Sequence, residues 1–308
     1  MLEKKNLRII FFGTPDFAST SLKQIHENGY QIVAVVTAPD KPMGRGLQMN
    51  ISSVKKTANE LDIPILQPKN LKAPEFLNEL RSFKADLQIV IAFRMLPELV
   101  WGMPKMGTFN LHASYLPNYR GAAPINRAIM NGETETGVST FFLVHEIDQG
   151  QILLQRKIAI LPEDNAGTLH DKLMHEGARL VLESLELICT ENYELKPQET
   201  GEFKHAPKLF TEDCKIDWNK TAVEIHNHIR GLSPYPVAFT EFQGKKLKVY
   251  ASSVSEEDST EIGKIEVADK SSLYGHCRDK KIQLTDVQIE GKKRMPVKDF
   301  INGLKINP

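Results

Sequence analysis

Cysteine is scarce: Cys189, Cys214 and Cys277 are the only 3 in 308 residues, far apart and with no Cys-x-x-Cys pair. That excludes a disulfide framework and a cysteine zinc site, and reduced thiols in the cytoplasm are the expectation. Long apolar runs are missing too. Ile9-Ile10-Phe11-Phe12 stops at Gly13-Thr14-Pro15, so no secretory segment is expected there. No window approaches the roughly 18 unbroken apolar residues of a membrane helix. Charge of one sign is also absent, with 39 Lys+Arg against 39 Asp+Glu. Contact with a polyanion would therefore depend on segregated charge. What is present, 41% hydrophobic and 25% charged residues, is the balance of a folded chain rather than a disordered one. At this length about two domains are expected.

Residues 1–190 alternate apolar runs with helical spacing. Leu7–Phe12, Gln31–Thr37, Asp86–Ala92, Thr108–His112, Val138–Val144 and Gln151–Leu161 read as strands, and Pro64–Leu66 as a short extended piece. Asp16–Asn28, Ser53–Leu61, Pro74–Phe83, Ala123–Met130 and Ala166–Cys189 read as helices. Such alternation predicts an α/β domain with an open, mostly parallel sheet. Residues 191–208, with Pro197, Gly201 and Pro207, read as a linker. From 209 to 308, one helix (Ala222–Arg230) leads into short strands, Val237–Phe242, Leu247–Val254, Gly263–Val267 and Ile282–Ile289. Gln243-Gly244 is a candidate hairpin turn, and a small β-barrel or sandwich is predicted.

Several chemistries are missing. Gly13-Thr14-Pro15-Asp16-Phe17 is neither a dinucleotide fingerprint nor a Walker loop. Ser114 and Ser139 lack a nucleophile-elbow context. His226/His228 and His170/His175 do not have the i,i+4 spacing of a zinc site, so no metal is expected. The densest candidate is Asn110-Leu111-His112. On a strand, Asn110 and His112 share one face while Leu111 faces the other way. A carboxamide N–H and an imidazole presented together can hold an oxygen that is gaining negative charge, as acyl transfer requires. Asp148 follows at a turn before Gly150, and a carboxylate near an imidazole favours and orients the charged ring. The polar segment Pro39–Gly46 offers Lys41 and Arg45 to an anion. Lys245-Lys246-x-Lys248, Arg278-x-Lys280-Lys281 and Lys292-Lys293-Arg294 suit phosphate backbones if they share a face.

These residues resemble the folate-dependent formyltransferases. The likeness rests on Asn110-x-His112, Ser114-Tyr115-Leu116-Pro117, Arg120-Gly121-Ala122-Ala123-Pro124-Ile125, Glu135-Thr136-Gly137 and Asp148-x-Gly150. The opening Ile9–Phe17, the Pro39–Gly46 loop, Ile216-Asp217-Trp218 and Arg230-x-x-x-Pro234-x-Pro236 point to the branch acting on initiator methionyl-tRNA. The resemblance implies a Rossmann-like domain and an OB-fold-like second domain. It implies formyl transfer from 10-formyltetrahydrofolate to the methionine amine, without metal, membrane or obligate protein partner. Asn110 and His112 would then steady the oxyanion, with Asp148 behind the ring. Folate would lie against Ser114, Tyr115, Leu116, Pro117, Ile91 and Phe93. The tRNA would meet Lys41 and Arg45 and, on the second domain, Lys245, Lys246, Lys248, Lys292, Lys293 and Arg294. Three departures from the family pattern stand near the folate site: Tyr115 for a Leu, Phe93-Arg94 for Tyr-Gly, and Asn118-Tyr119 for a more basic pair. Two other readings compete: formylation of a sugar-nucleotide or other small amine, and RNA binding without catalysis.

Overall fold

The computed structural model describes residues 3–43 and 48–304. The chain divides into two units, one of Met1–Arg120, Gly137–Ile158 and Asp171–His205, the other of Gly121–Thr136, Ala159–His170 and Ala206–Pro308.

The first unit is built on a seven-stranded sheet of β1 (Arg8–Gly13), β2 (Gln31–Val36), β3 (Ile65–Leu66), β4 (Leu87–Ile91), β5 (Thr108–His112), β6 (Glu135–Phe142) and β7 (Ile152–Ala159), in the order β7-β6-β5-β4-β1-β2-β3. Strands β3, β2, β1, β4 and β5 are parallel, and β6 runs antiparallel to β5. Ile9, Ile10, Phe11 and Phe12 are all fully buried, which is why β1 reads as an unbroken apolar run rather than an alternating one. Helices Asp16–Glu27, Ser53–Glu60 and Pro74–Ser82 each bury one apolar stripe, through Phe17, Leu22 and Ile25 in the first and Phe76, Leu77 and Leu80 in the third. The Ser52 hydroxyl caps its helix by accepting from Lys55 N at 3.0 Å.

Strand order reverses around β1, with β2 on one side and β4 on the other. Open α/β sheets take ligands in the crevice beyond the carboxyl ends at such a point, here marked by Gly13 and Ile91. The 25-residue helix Ala166–Thr190 packs so closely on β5 that a Cβ at Gly177 would lie 2.8 Å from Leu111 Cδ2. This contact seats the back of β5 and turns Asn110 and His112 to the other face.

Residues 191–205 are not free of the first unit. Lys196 and Ile152 exchange backbone hydrogen bonds at 2.9 and 2.8 Å, and Tyr193 stacks on Phe142 with centroids 6.4 Å apart. Their composition resembles a linker because polar side chains there serve contacts rather than a core.

In the second unit, helix Ala222–Leu232 opens with a reciprocal cap between Thr221 and Glu224. An antiparallel sheet follows: β8 (Ala238–Phe242), β9 (Lys245–Asp258), β10 (Ile265–Val267), β11 (Leu273–His276), β12 (Lys280–Ile289) and β13 (Met295–Pro296). Its order is β8-β9-β12-β11-β10, with β13 on β12. Register shifts along β9 let this long strand bend, and the sheet curls around a core that includes Leu247, Val249, Leu284 and Ile229. The Gln243-Gly244 turn joins β8 to β9 with both residues at positive φ, as a two-residue hairpin requires. Among the described residues, no helix is long and apolar enough to cross a membrane.

Candidate active site

Asn110 and His112 stand at the carboxyl end of β5, beside β4. The His112 ring is buried, and its Nε2 lies 2.8 Å from the carbonyl oxygen of Tyr119. A carbonyl can only accept, so Nε2 carries the hydrogen. The other nitrogen, Nδ1, faces Asp148 Oδ2 at 3.9 Å. That is ion-pair range rather than a hydrogen bond. When the ring is neutral, Nδ1 is a base; when charged, Nδ1–H is a donor. The half-buried Asn110 carboxamide makes no side-chain hydrogen bond among the described residues.

The loop after β5 is tied down from β6 and β7. Ser139 Oγ donates to Ser114 O at 2.7 Å and accepts from Leu116 N at 3.1 Å. Gln155 Nε2 donates to Leu116 O at 2.8 Å. Ser114 is fully buried and bonds Asn118 O, while Leu116 packs with Phe141 and Ile152. Ser114 and Leu116 thus shape the loop, and Tyr115 and Pro117 keep partial exposure. The Tyr115 ring carries Lys157 Nζ 5.2 Å from its centroid, a cation–π contact. Ile91 is wholly buried, so it presents no exposed surface at the end of β4. Phe93 is half-buried and meets Phe12 edge-on at 5.7 Å. The Arg94 guanidinium stays over that ring, 5.8 Å from its centroid, while bonding the carbonyls of Pro68 and Lys69.

Two polar residues beside Asp148 were missed from sequence. Gln198 Nε2 donates to the carbonyls of Asp148 and Gly150, at 2.8 Å each. Its Oε1 accepts from Arg120 Nε at 3.1 Å and Nη2 at 2.6 Å. Burial lowers the Arg120 guanidinium below its usual range, opposed by the Asp148 charge. Arg120 opens the family motif at 120–125, but nothing in its spacing signals a partner 78 positions away.

Lys41 is exposed on the short strand Lys41–Met43, antiparallel to Gln48–Asn50; Arg45 lies outside the described residues. The base of that segment is held by Asp40, Lys55 and Gln67. Lys55 pairs with Asp40, and Gln67 bonds Asp40 and Ala38 O. These bonds depress the Asp40 carboxyl below its usual range, the Lys55 contact most.

In the second unit, the clusters at 245–248 and 292–294 come together. Lys248 pairs in register with Gln288, whose Nε2 bonds Lys292 O at 2.9 Å. Lys246 covers the Phe239 ring at 3.5 Å and Arg294 covers Tyr250 at 4.3 Å, while Lys245, Lys292 and Lys293 are exposed. Arg294 is also paired, with Asp286, and in the remaining cluster Lys280 pairs with Glu256, and Lys281 with Glu257 and Glu266. No group of three or more His, Cys, Asp or Glu among the described residues is arranged to hold a metal.

Residues 7–185 match a family model described as formyl transferase, and residues 208–305 match formyl transferase, C-terminal domain. A relative from Parabacteroides distasonis, named methionyl-tRNA formyltransferase, is 50% identical over 316 residues, covering 99% of this chain and 98% of its own. Among solved structures, an N-formyltransferase from Helicobacter canadensis with folinic acid and dTDP-3-aminofucose superposes with a TM-score of 0.68 at 21% identity, over 92% of this chain and 99% of that one. HypX from Aquifex aeolicus with tetrahydrofolic acid gives a TM-score of 0.65 at 20% identity over 96% of this chain. The match spans only 47% of HypX, and both structural likenesses speak to fold alone. With both family models matched in chain order and a relative 50% identical over nearly the full length of both chains, the chain belongs to the formyl transferase family.

Proposed function

We propose that the chain transfers the formyl group of 10-formyltetrahydrofolate to the α-amino nitrogen of methionine on initiator tRNA, in the cytoplasm, in support of translation initiation. The reading is supported by full-length identity to relatives named methionyl-tRNA formyltransferase. It is carried by one geometric observation: His112 has Nε2 committed to Tyr119 and Nδ1 turned toward Asp148, with the Asn110 carboxamide on the same strand face.

The folate co-substrate brings a formyl group bonded to nitrogen, and its acyl oxygen is an acceptor that the Asn110 and His112 donors fit. Asn110 donates an N–H to that oxygen as the attacking amine drives charge onto it. Nδ1–H of the charged His112 ring donates to the same oxygen, so neither donor must reorganise during the reaction. Asp148 balances the ring's charge across 3.9 Å and takes the proton the amine sheds, passing it on to the departing folate nitrogen. Tyr115, Pro117 and Phe93 line the folate's place, and Ile91, Ser114 and Leu116 hold that lining in shape. Lys41 and Arg45 contact the tRNA acceptor end, and Lys245, Lys246, Lys248, Lys292, Lys293 and Arg294 meet its phosphates.

The test incubates purified protein with 10-formyltetrahydrofolate and either methionyl-tRNA or small amines, including an amino-sugar nucleotide. Formylmethionyl-tRNA as the preferred product is the expected result. Preference for a small amine, or tRNA binding without turnover, overturns the reading.

A further inference from the structure

We propose that Gln198 is a positioning residue: oriented by Arg120, its carboxamide holds the turn that carries Asp148 against His112. The proposal rests on the formyl-transfer reading of Asn110, His112 and Asp148.

Every polar atom of the Gln198 side chain is used in one direction. The amide nitrogen gives hydrogens to the carbonyls of Asp148 and Gly150, each at 2.8 Å, and the amide oxygen takes two from Arg120. Carbonyls only accept and a guanidinium only donates, so a flipped carboxamide would face like partners at both ends. Arg120 is itself placed over the Phe203 ring, 5.9 Å from its centroid.

The turn needs such a hold. Asp148 adopts φ of 55°, a left-handed conformation that aspartate accepts more readily than most non-glycine residues but that its surroundings must still hold in place. At Gly150 a Cβ would overlap the Phe142 carbonyl oxygen, so this end of the turn is pressed on β6. Between those two points, the carbonyls bonded by Gln198 are the turn's own. Gln198 is presented from an anchored stretch, because Lys196, two residues earlier, pairs with Ile152 on β7.

The dipeptide Tyr119-Arg120 then reaches both halves of the site. The Tyr119 carbonyl fixes the His112 ring, and the Arg120 side chain, through Gln198, fixes the backbone of Asp148. A shift of about 1 Å between such groups can lower a rate by roughly 100-fold.

The test uses Gln198→Glu, which keeps the Arg120 partner but sets oxygens against two carbonyls, and Gln198→Met, which removes both interactions. Crystal structures of both variants are expected to show Asp148 drawn away from its 3.9 Å approach to His112. An unchanged approach overturns the proposal whether or not the protein formylates anything. In the formylation assay, each variant is expected to lower kcat roughly 10–100-fold, with KM for folate and tRNA within about threefold of the parent. In an Asp148→Ala background, where there is no carboxylate left to position, the same change is expected to cost almost nothing further. An equal loss in both backgrounds, or a loss in KM alone, marks a merely structural residue and overturns the proposal. Absence of formylmethionyl-tRNA from the parent protein would sink the functional reading separately, and the crystallographic comparison would still decide the role of Gln198.

Discussion

The Nε2–H of His112 is committed to the carbonyl oxygen of Tyr119 at 2.8 Å, which leaves Nδ1 as the ring's working atom. Tyr119 adopts φ of 62°, so this carbonyl is aimed by a left-handed backbone turn rather than by strand geometry. Loop conformation therefore sets which nitrogen meets substrate, and the strand sets where the ring stands.

Gly150→Ala is expected to cost activity more than fold. The added methyl meets the Phe142 carbonyl, which is backbone and cannot step aside, so the Asp148 turn must move instead. Loss of about 1–3 kcal/mol of stability is expected, with kcat down on the order of 100-fold. Thermal melting and steady-state kinetics on one preparation check both; parent-like kcat in a destabilised variant would detach the turn from catalysis.

The basic residues of the second unit are expected to divide into two groups. Lys245→Ala, Lys246→Ala and Lys248→Ala should raise KM for methionyl-tRNA and reduce the slope of log affinity against log salt by about one for each phosphate no longer neutralised. Lys280→Ala and Lys281→Ala, whose parents are paired with Glu256, Glu257 and Glu266, should leave that slope alone. Titrations of tRNA binding at several salt concentrations separate the two groups, and the reverse pattern would move the RNA interface to the other end of the sheet.

Acid should weaken the second unit through His228. Burial, helped by the Lys220 charge, lowers its pKa to about 4, and its Nε2 has no hydrogen-bond partner among the described residues. The unfolded chain takes up this proton near pH 6.5, before the folded one does. The contribution is therefore complete above about pH 6.5 and is lost as pH falls toward 4, at most about 3 kcal/mol. Urea unfolding at pH 7.5 and 4.5 is expected to show a smaller acid loss for His228→Leu than for the parent; equal losses would clear His228 of the effect.

Much of this was legible in the sequence where one physical signal dominates. Continuous apolar runs marked β1 and β4 because both faces of these parallel strands are covered, and i,i+2 spacing put Asn110 and His112 on one face of β5. The strand Leu273–His276 was not read, because Gly275 interrupts its pattern. The glycine is there for Trp218, whose ring occupies the space a Cβ would need. The pair Lys41–Met43 and Gln48–Asn50 was also missed, since Pro42 argues against a strand and is tolerated in so short a pair. Gln198 was illegible for a different reason. Its meaning lies in two carbonyls and a guanidinium distant in sequence, and no local pattern encodes such a set.

The most direct test is the single-turnover rate of formyl transfer to methionyl-tRNA with both substrates saturating, so that binding drops out and the chemical step is read. His112→Ala and Asn110→Ala are each expected to slow it on the order of 10²–10³-fold, the loss typical of removing one donor from a developing oxyanion. A rate equal to the parent's in either variant would contradict the account.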